Sequence, residues 1–188
     1  MLFKKYQFPI NLFIIFEKIN PVIYTSQVLT PNHYVCFIPN KWYYGLNLVL
    51  KKELFYNFST LTDMSCIDTL KYDKFVPEQT LLNKKRFMLY NIYYFYWIKV
   101  RFTLIQFSES RTESIDSIYK NASWLEREVG EMYGVKYNNK KDNRSLLLDY
   151  SRNEYPMLKD FPCEGFYEIY YDFFENKVQY IKNEFIEL

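Results

Sequence analysis

The chain has 188 residues, with 24 basic and 22 acidic side chains for a net charge of +2. That length suits one domain with an appended tail, and the charge balance argues against a protein that lives by gripping phosphate backbones, which usually carries a basic stripe. Apolar residues make up 49% of the chain, enough for a core, but 20 Tyr, 17 Phe and a lone alanine, Ala122, are what an AT-rich genome encodes, so codon bias accounts for much of the aromatic excess.

Leu12 to Ile19 is predicted to form a short amphipathic helix, stopped by Asn20-Pro21. His33 to Ile38 reads as a strand ended by Pro39, after which Asn40 is expected to cap a helix reaching about Lys52 and interrupted at Gly45. Phe55 to Thr62 is a second strand candidate. From Trp97 to Phe107, Ile98, Val100, Phe102 and Leu104 alternate with Lys99, Arg101 and Thr103, the period of a half-buried strand with one wet face. Arg86 to Tyr94 is its expected hairpin partner, and Glu113 to Tyr119 a helical turn or two.

Ser123-Trp124-Leu125-Glu126 has the pattern of a capping box, and Gly134 sits where a left-handed C-cap belongs. On the helix between them Leu125, Val129 and Met132 share a stripe, Glu128 lies on its margin, and Arg127 and Glu131 form an i,i+4 pair on the other side. The basic clusters Lys84-Lys85-Arg86 and Lys140-Lys141 read as solvated faces or turns. Tyr155 to Gly165 is punctuated by two prolines and should be extended. Phe166 to Asp172 and Lys177 to Phe185 resemble two strands around a Phe-Glu-Asn turn. A tail of this kind is poorly explained as core and suits a segment laid along another protein.

The chemical inventory is close to empty. Cys36, Cys66 and Cys163 are isolated and read as free, buried thiols. With only His33 beside them they cannot supply the four ligands of a structural zinc or iron–sulfur site. His33 itself is a strand-edge residue. No phosphate loop, GxSxG elbow or HExxH is present, so no catalytic, cofactor-binding or metal residue is assigned. The most apolar run, Phe8 to Phe16, is broken by Pro9 and Asn11 and falls short of the roughly 20 residues a bilayer requires. The N-terminus has neither a signal-peptide cleavage pattern nor the Arg- and Ser-rich character of an imported leader.

Read together, Glu126-Arg127-Glu128, Met132-Tyr133-Gly134, Arg144 with Leu146 and Leu147, and Lys159-Asp160-Phe161-Pro162 resemble the 30 kDa subunit of respiratory complex I. That family is named subunit 9 in mitochondrial genomes and has a counterpart in bacterial NADH-quinone oxidoreductase. Where the family usually has Trp-Asp, this chain has Gly130-Glu131. The family's His-Pro is Lys140-Lys141, with Asp142 retained, its Arg-Arg is Arg144-Ser145, and the Arg before its last Tyr-Asp is Tyr170. The resemblance implies a two-layer α+β domain with a mixed sheet and helices on one face over residues 1–135, followed by an extended docking tail over 136–188. It implies a non-catalytic, quinone-proximal subunit of the peripheral arm of NADH:ubiquinone oxidoreductase. FMN and iron–sulfur clusters would then lie in partner subunits, with the large 49 kDa-type subunit as chief neighbour. The corresponding location is the matrix side of the mitochondrial inner membrane, with the chain organelle-encoded. The implied docking set is Glu126, Arg127, Glu128, Arg144, Lys159, Asp160, Phe161 and Pro162. A second reading is a nucleic-acid-binding module, because aromatics interleave with lysine from Tyr90 to Arg101 and bases can stack on such rings.

Overall fold

The computed structural model describes residues 25–30, 32–52, 59–70, 85–96, 99–150 and 154–183. The helix expected over Leu12 to Ile19 lies outside them. Five strands, β1 (Thr25–Thr30), β2 (His33–Ile38), β3 (Ser59–Asp68), β4 (Phe87–Phe95) and β5 (Val100–Ser108), form one sheet in the order β1-β2-β5-β4-β3. β2 runs parallel to β5 and the other neighbours are antiparallel, so the sheet is mixed. Helices α1 (Tyr43–Lys52) and α2 (Ala122–Tyr133) complete an α+β domain.

Register places Tyr34, Cys36 and Ile38 beside Phe102, Leu104 and Gln106, and these beside Tyr93, Asn91 and Leu89. All are buried, on the face where Leu46 and Leu50 of α1 and Val129 of α2 join the same core. β4 is the plainest case: Phe87, Leu89, Asn91, Tyr93 and Phe95 are buried and the residues between them half-buried. Polar groups in this core are paired, as burial demands, except for the Gln106 side-chain carbonyl, whose amide nitrogen alone is bonded, to Thr112. Asn91 donates to the Tyr43 and Tyr93 hydroxyls, and Tyr93 donates to Asn47.

Several local expectations change. The predicted wet face of β5 holds for Arg101 but not for Thr103, which is buried with its hydroxyl 2.8 Å from His33 Nε2. On that same face Phe107 is also buried and stacks on Phe37 of β2, so the face is dry along part of its length. Asn40 does not cap α1. It opens a 3-10 turn (Asn40–Trp42), and its side chain donates to the Arg111 carbonyl and accepts from the Thr112 hydroxyl. The helix then runs through Gly45 without interruption. Of the second strand candidate, Phe55 to Phe58 lie outside the described residues, and the strand extends to Asp68, well past the expected end at Thr62. Within the predicted helical stretch Glu113 to Tyr119, one turn forms at Ile115–Tyr119, and Glu113 ends a short strand β6 (Arg111–Glu113).

Residues after α2 return to the domain before leaving it. β7 (Lys136–Asn138) pairs in parallel with β6. Asn139, with φ of 60°, then turns the chain away from this pair. The final elements, β8 (Tyr167–Asp172) and β9 (Lys177–Lys182), form a separate antiparallel hairpin close to the predicted bounds.

Candidate docking site

The candidate residues gather around α2. Asn121 already winds helically, and the Ala122, Ser123 and Trp124 amides find backbone acceptors at Tyr119, Lys120 and Asn121. That leaves no orphan amide for a capping box. The Asn121 side chain instead donates to the Leu61 carbonyl of β3. Glu126 turns inward, 1% exposed, where it accepts from the Ile115 amide and Ser114 hydroxyl at 2.7 Å each and from Lys140 Nζ at 2.9 Å. The Lys140 ammonium, 2% exposed, also donates to the Ser123 carbonyl. Lys140 is therefore a buried ion-pair partner and not a solvated turn, and Glu126 is consumed inside the domain instead of facing a partner. Burial pushes the Glu126 carboxyl upward, against the pull of the Ile115 amide, Ser114 and Lys140.

Arg127 and Glu131 do not pair with one another; together they grip the following loop. Arg127 donates to the Arg144 and Ser145 carbonyls at 2.8 and 2.9 Å. Glu131 accepts the amides of Leu146, Leu147 and Leu148 at 2.8–3.2 Å. A cation takes the carbonyls and an anion takes the amides, so the loop is held by its backbone whatever its side chains. Partial burial would raise the Glu131 carboxyl, but those amides hold it below the ordinary range. Gly134, with φ of 75°, caps α2 as expected, and a Cβ there would stand 2.9 Å from the Tyr155 ring.

A cleft of about 420 Å³ remains between helix and loop. Of the charged side chains that line it, Glu126, Arg127, Glu131 and Lys140 are engaged in contacts that join the two segments, Arg144 pairs within the loop, and Lys136 and Glu154 complete the lining. Glu128 and Arg144 are exposed, the latter pairing with Asp142 at 2.8 Å.

Further along, the tail meets the end of the sheet. Asp68, fully buried, accepts from Arg86 through both oxygens at 3.0 and 2.7 Å and from the Lys159 amide at 2.9 Å. Arg86 also reaches Asp160 at 2.5 Å. Arg86 is thus an ion-pair centre and not part of a solvated face. Burial would raise the Asp68 carboxyl, but Arg86 and the Lys159 and Leu70 amides outweigh it and hold the group low. Asp160 is held low chiefly by Arg86. Phe161 packs edge-to-face on Phe166 at 5.2 Å, and Pro162 is half-buried.

Cys36 and Cys66 are buried, and burial raises both thiols, Cys66 to about 12; Cys163 is exposed, contrary to expectation, because the turn carrying it lies on the surface. Among the described residues no three His, Cys, Asp or Glu side chains form a metal-binding group, and no helix is long and apolar enough to cross a membrane. In the aromatic run read as a stacking platform, Tyr93 and Phe95 are core residues, where no base can reach them.

Residues 38–167 match the family model for the respiratory-chain NADH dehydrogenase 30 kDa subunit. The chain belongs to that family. NADH-ubiquinone oxidoreductase subunit 9 of Paramecium primaurelia is 36% identical over 185 residues, 98% of this chain and 88% of that one. A bacterial NADH-quinone oxidoreductase relative, from the Wolbachia of Brugia malayi, is 36% identical over 119 residues, 63% of each chain. The fold is shared with a trypsin-resistant fragment (1–134) of Nqo5, at TM-score 0.55 and 18% identity over 71% of this chain and 98% of that chain. It is shared too with a chain of the archaeal membrane-bound sulfane sulfur reductase, at TM-score 0.62 and 16% identity over 82% and 86%.

Two departures from the 30 kDa family pattern now have structural roles. Lys140, at the family's His position, supplies the buried partner of Glu126, and Glu131, at its Asp position, holds the loop amides. Neither role was visible in the sequence, because each depends on a group at least 14 residues away.

Proposed function

We propose that this chain is a mitochondrial complex I subunit of the peripheral arm that has no active site or cofactor of its own and works by docking. FMN and iron–sulfur chemistry belongs to neighbouring subunits, the principal contact is the large 49 kDa-type quinone-proximal subunit, and the assembly sits on the matrix side of the inner membrane. Organelle encoding fits the composition. The observation that carries the reading is the 36% identity to a subunit 9 protein along 98% of the chain.

The hairpin is the proposed contact element. By register Tyr167, Ile169 and Tyr171 share a face with Val178, Tyr180 and Lys182, while Tyr170 and Ile181 lie on the other among Glu168, Asp172, Lys177 and Gln179. Ile169 and Val178 are 60% and 59% exposed, an apolar face that a protein neighbour would cover. Glu128 and Arg144 are the exposed members of the docking set beside α2. Complexome profiling tests the proposal: the chain should migrate with the respiratory assemblies, and migration with soluble monomers would overturn it.

A further inference from the structure

We infer that the Lys159-Asp160-Phe161-Pro162 turn acts in cis, as a strap closed by Arg86 that aims the C-terminal hairpin, and that Asp160 is a positioning residue and not a partner contact. The inference rests on the reading of the chain as a docking subunit.

Arg86 is held by contacts that do not involve the tail. Its carbonyl accepts from the Thr69 amide and hydroxyl at 2.9 and 2.7 Å, and its Nε and Nη2 are set on Asp68. The turn is itself wound, with the Leu158 and Phe161 amides donating to the Tyr155 and Leu158 carbonyls. Two consecutive tail residues then bind two different groups of the sheet end, Lys159 through its amide on Asp68 and Asp160 through its carboxylate on Arg86. Leu158 packs on the core, and the Met157 amide donates to the last turn of α2 at the Met132 carbonyl. The strap is thus held by main chain, ion pair and apolar contact at once.

The hairpin is coupled to this strap over a short span. Phe161 packs edge-to-face on Phe166, the Asn183 amide donates to the Phe166 carbonyl, and the Asn183 side chain donates to the Glu164 and Gly165 carbonyls. The end of β9 is therefore tied to the base of β8 immediately beyond the strap. A partner seeking the Asp160 carboxylate would compete with an Arg86 guanidinium already 2.5 Å away. The strap instead presets the direction in which the apolar face of the hairpin points, which lowers the ordering cost of docking.

The test uses the full chain and compares Asp160→Asn, Arg86→Gln and the double variant. Hydrogen exchange on the isolated chain should show amides 157–161 exchanging at least about tenfold faster in Asp160→Asn, with the β4 and β5 ladders unchanged. Incorporation into the complex, read on native gels, should fall, and the double variant should be no worse than Arg86→Gln alone. Unchanged exchange with lost incorporation would overturn the inference, since Asp160 would then act on a partner. Additive losses in the double variant would overturn it as well, and so would faster exchange with wild-type incorporation. Should Arg86→Gln fail to fold, the Asp160→Asn exchange and incorporation results decide alone, because that variant keeps the Asp68–Arg86 pair. Wild-type chain that never enters a complex would instead sink the proposed function, leaving the exchange result to judge whether the strap exists.

Discussion

The sheet and the terminal hairpin are built from the same residues and reach opposite ends. In β4 every second residue is buried, and Tyr93, 0% exposed, lies beneath α1 with its hydroxyl bonded to Asn47. In β8 and β9 nearly every residue is exposed, and Phe174 at the turn is 100% so. Tyr, Ile and Phe are prominent in both regions. What differs is cover: β4 has strands on both sides and helices above, whereas the hairpin is an isolated two-stranded ribbon, marginal on its own in water. Aromatic content thus says nothing about burial here. Long-range neighbours decide it, and under the proposed function those of the hairpin belong to another subunit.

The contrast yields most forcefully from the side of the body. Glu126→Ala leaves the Lys140 ammonium buried without its carboxylate and strips an acceptor from Ser114 and Ile115. The expected loss is about 3–5 kcal/mol, a large share of a typical stability of roughly 5–15 kcal/mol, measured by urea unfolding of the isolated chain. A loss near zero would mean that the pair is not holding α2 to the body.

Gly134→Ala comes next. It forces an alanine into the left-handed region and its Cβ against the Tyr155 ring, so the same assay should read a loss of about 1–2 kcal/mol.

Acidification acts on the segments between body and hairpin. Asp68, Asp160 and Glu131 all sit below their ordinary values, so the stability each adds is present above the unfolded carboxylate range of about 4 and drains as pH falls through the lower folded values. Asp68 faces Arg86, Asp160 and the Lys159 and Leu70 amides, and Glu131 faces the loop amides. Glu126 is raised, so it takes up its proton first as pH falls, and that protonation relieves a cost of folding instead of draining stability. Amide chemical shifts of Ile115 and Ser114 should therefore move first on acidification, and those of Leu146–Leu148 and Lys159 only below about pH 4. Simultaneous movement would show that loop, strap and body unfold as one unit.

The smallest effect on the isolated chain belongs to Ile169→Ser on the apolar face of the hairpin. Stability should stay within about 0.5 kcal/mol of wild type, as for other exposed sites, while incorporation into the complex falls. A substantial loss of stability in the isolated chain would place Ile169 in an intrachain core after all.

Much of the backbone was legible from local signals. β2 has the predicted bounds, β4 and β5 form the predicted hairpin, β8 and β9 fall close to their expected places, and Gly134 takes the left-handed cap. These features rest on period-2 alternation and on glycine's freedom at positive φ, both properties of neighbouring residues. The motifs that carried the family resemblance were legible in the same way.

The partners of the charged residues were not. Glu126 reads as a cap, Lys140 as a solvated turn, Glu131 as the mate of Arg127, and Asp160 as a contact for another subunit. In the folded chain Glu126 meets Lys140, Glu131 meets the loop amides, and Asp160 meets an arginine 74 positions away. A side chain's charge is written in the sequence, but its partner is chosen by which segments the fold brings within about 3 Å. The sequence by itself therefore determined most of β2, β4, β5, β8 and β9, the turn glycine and the scarcity of metal ligands. Only the tertiary structure decided which carboxylates hold the domain together and which residues remain exposed.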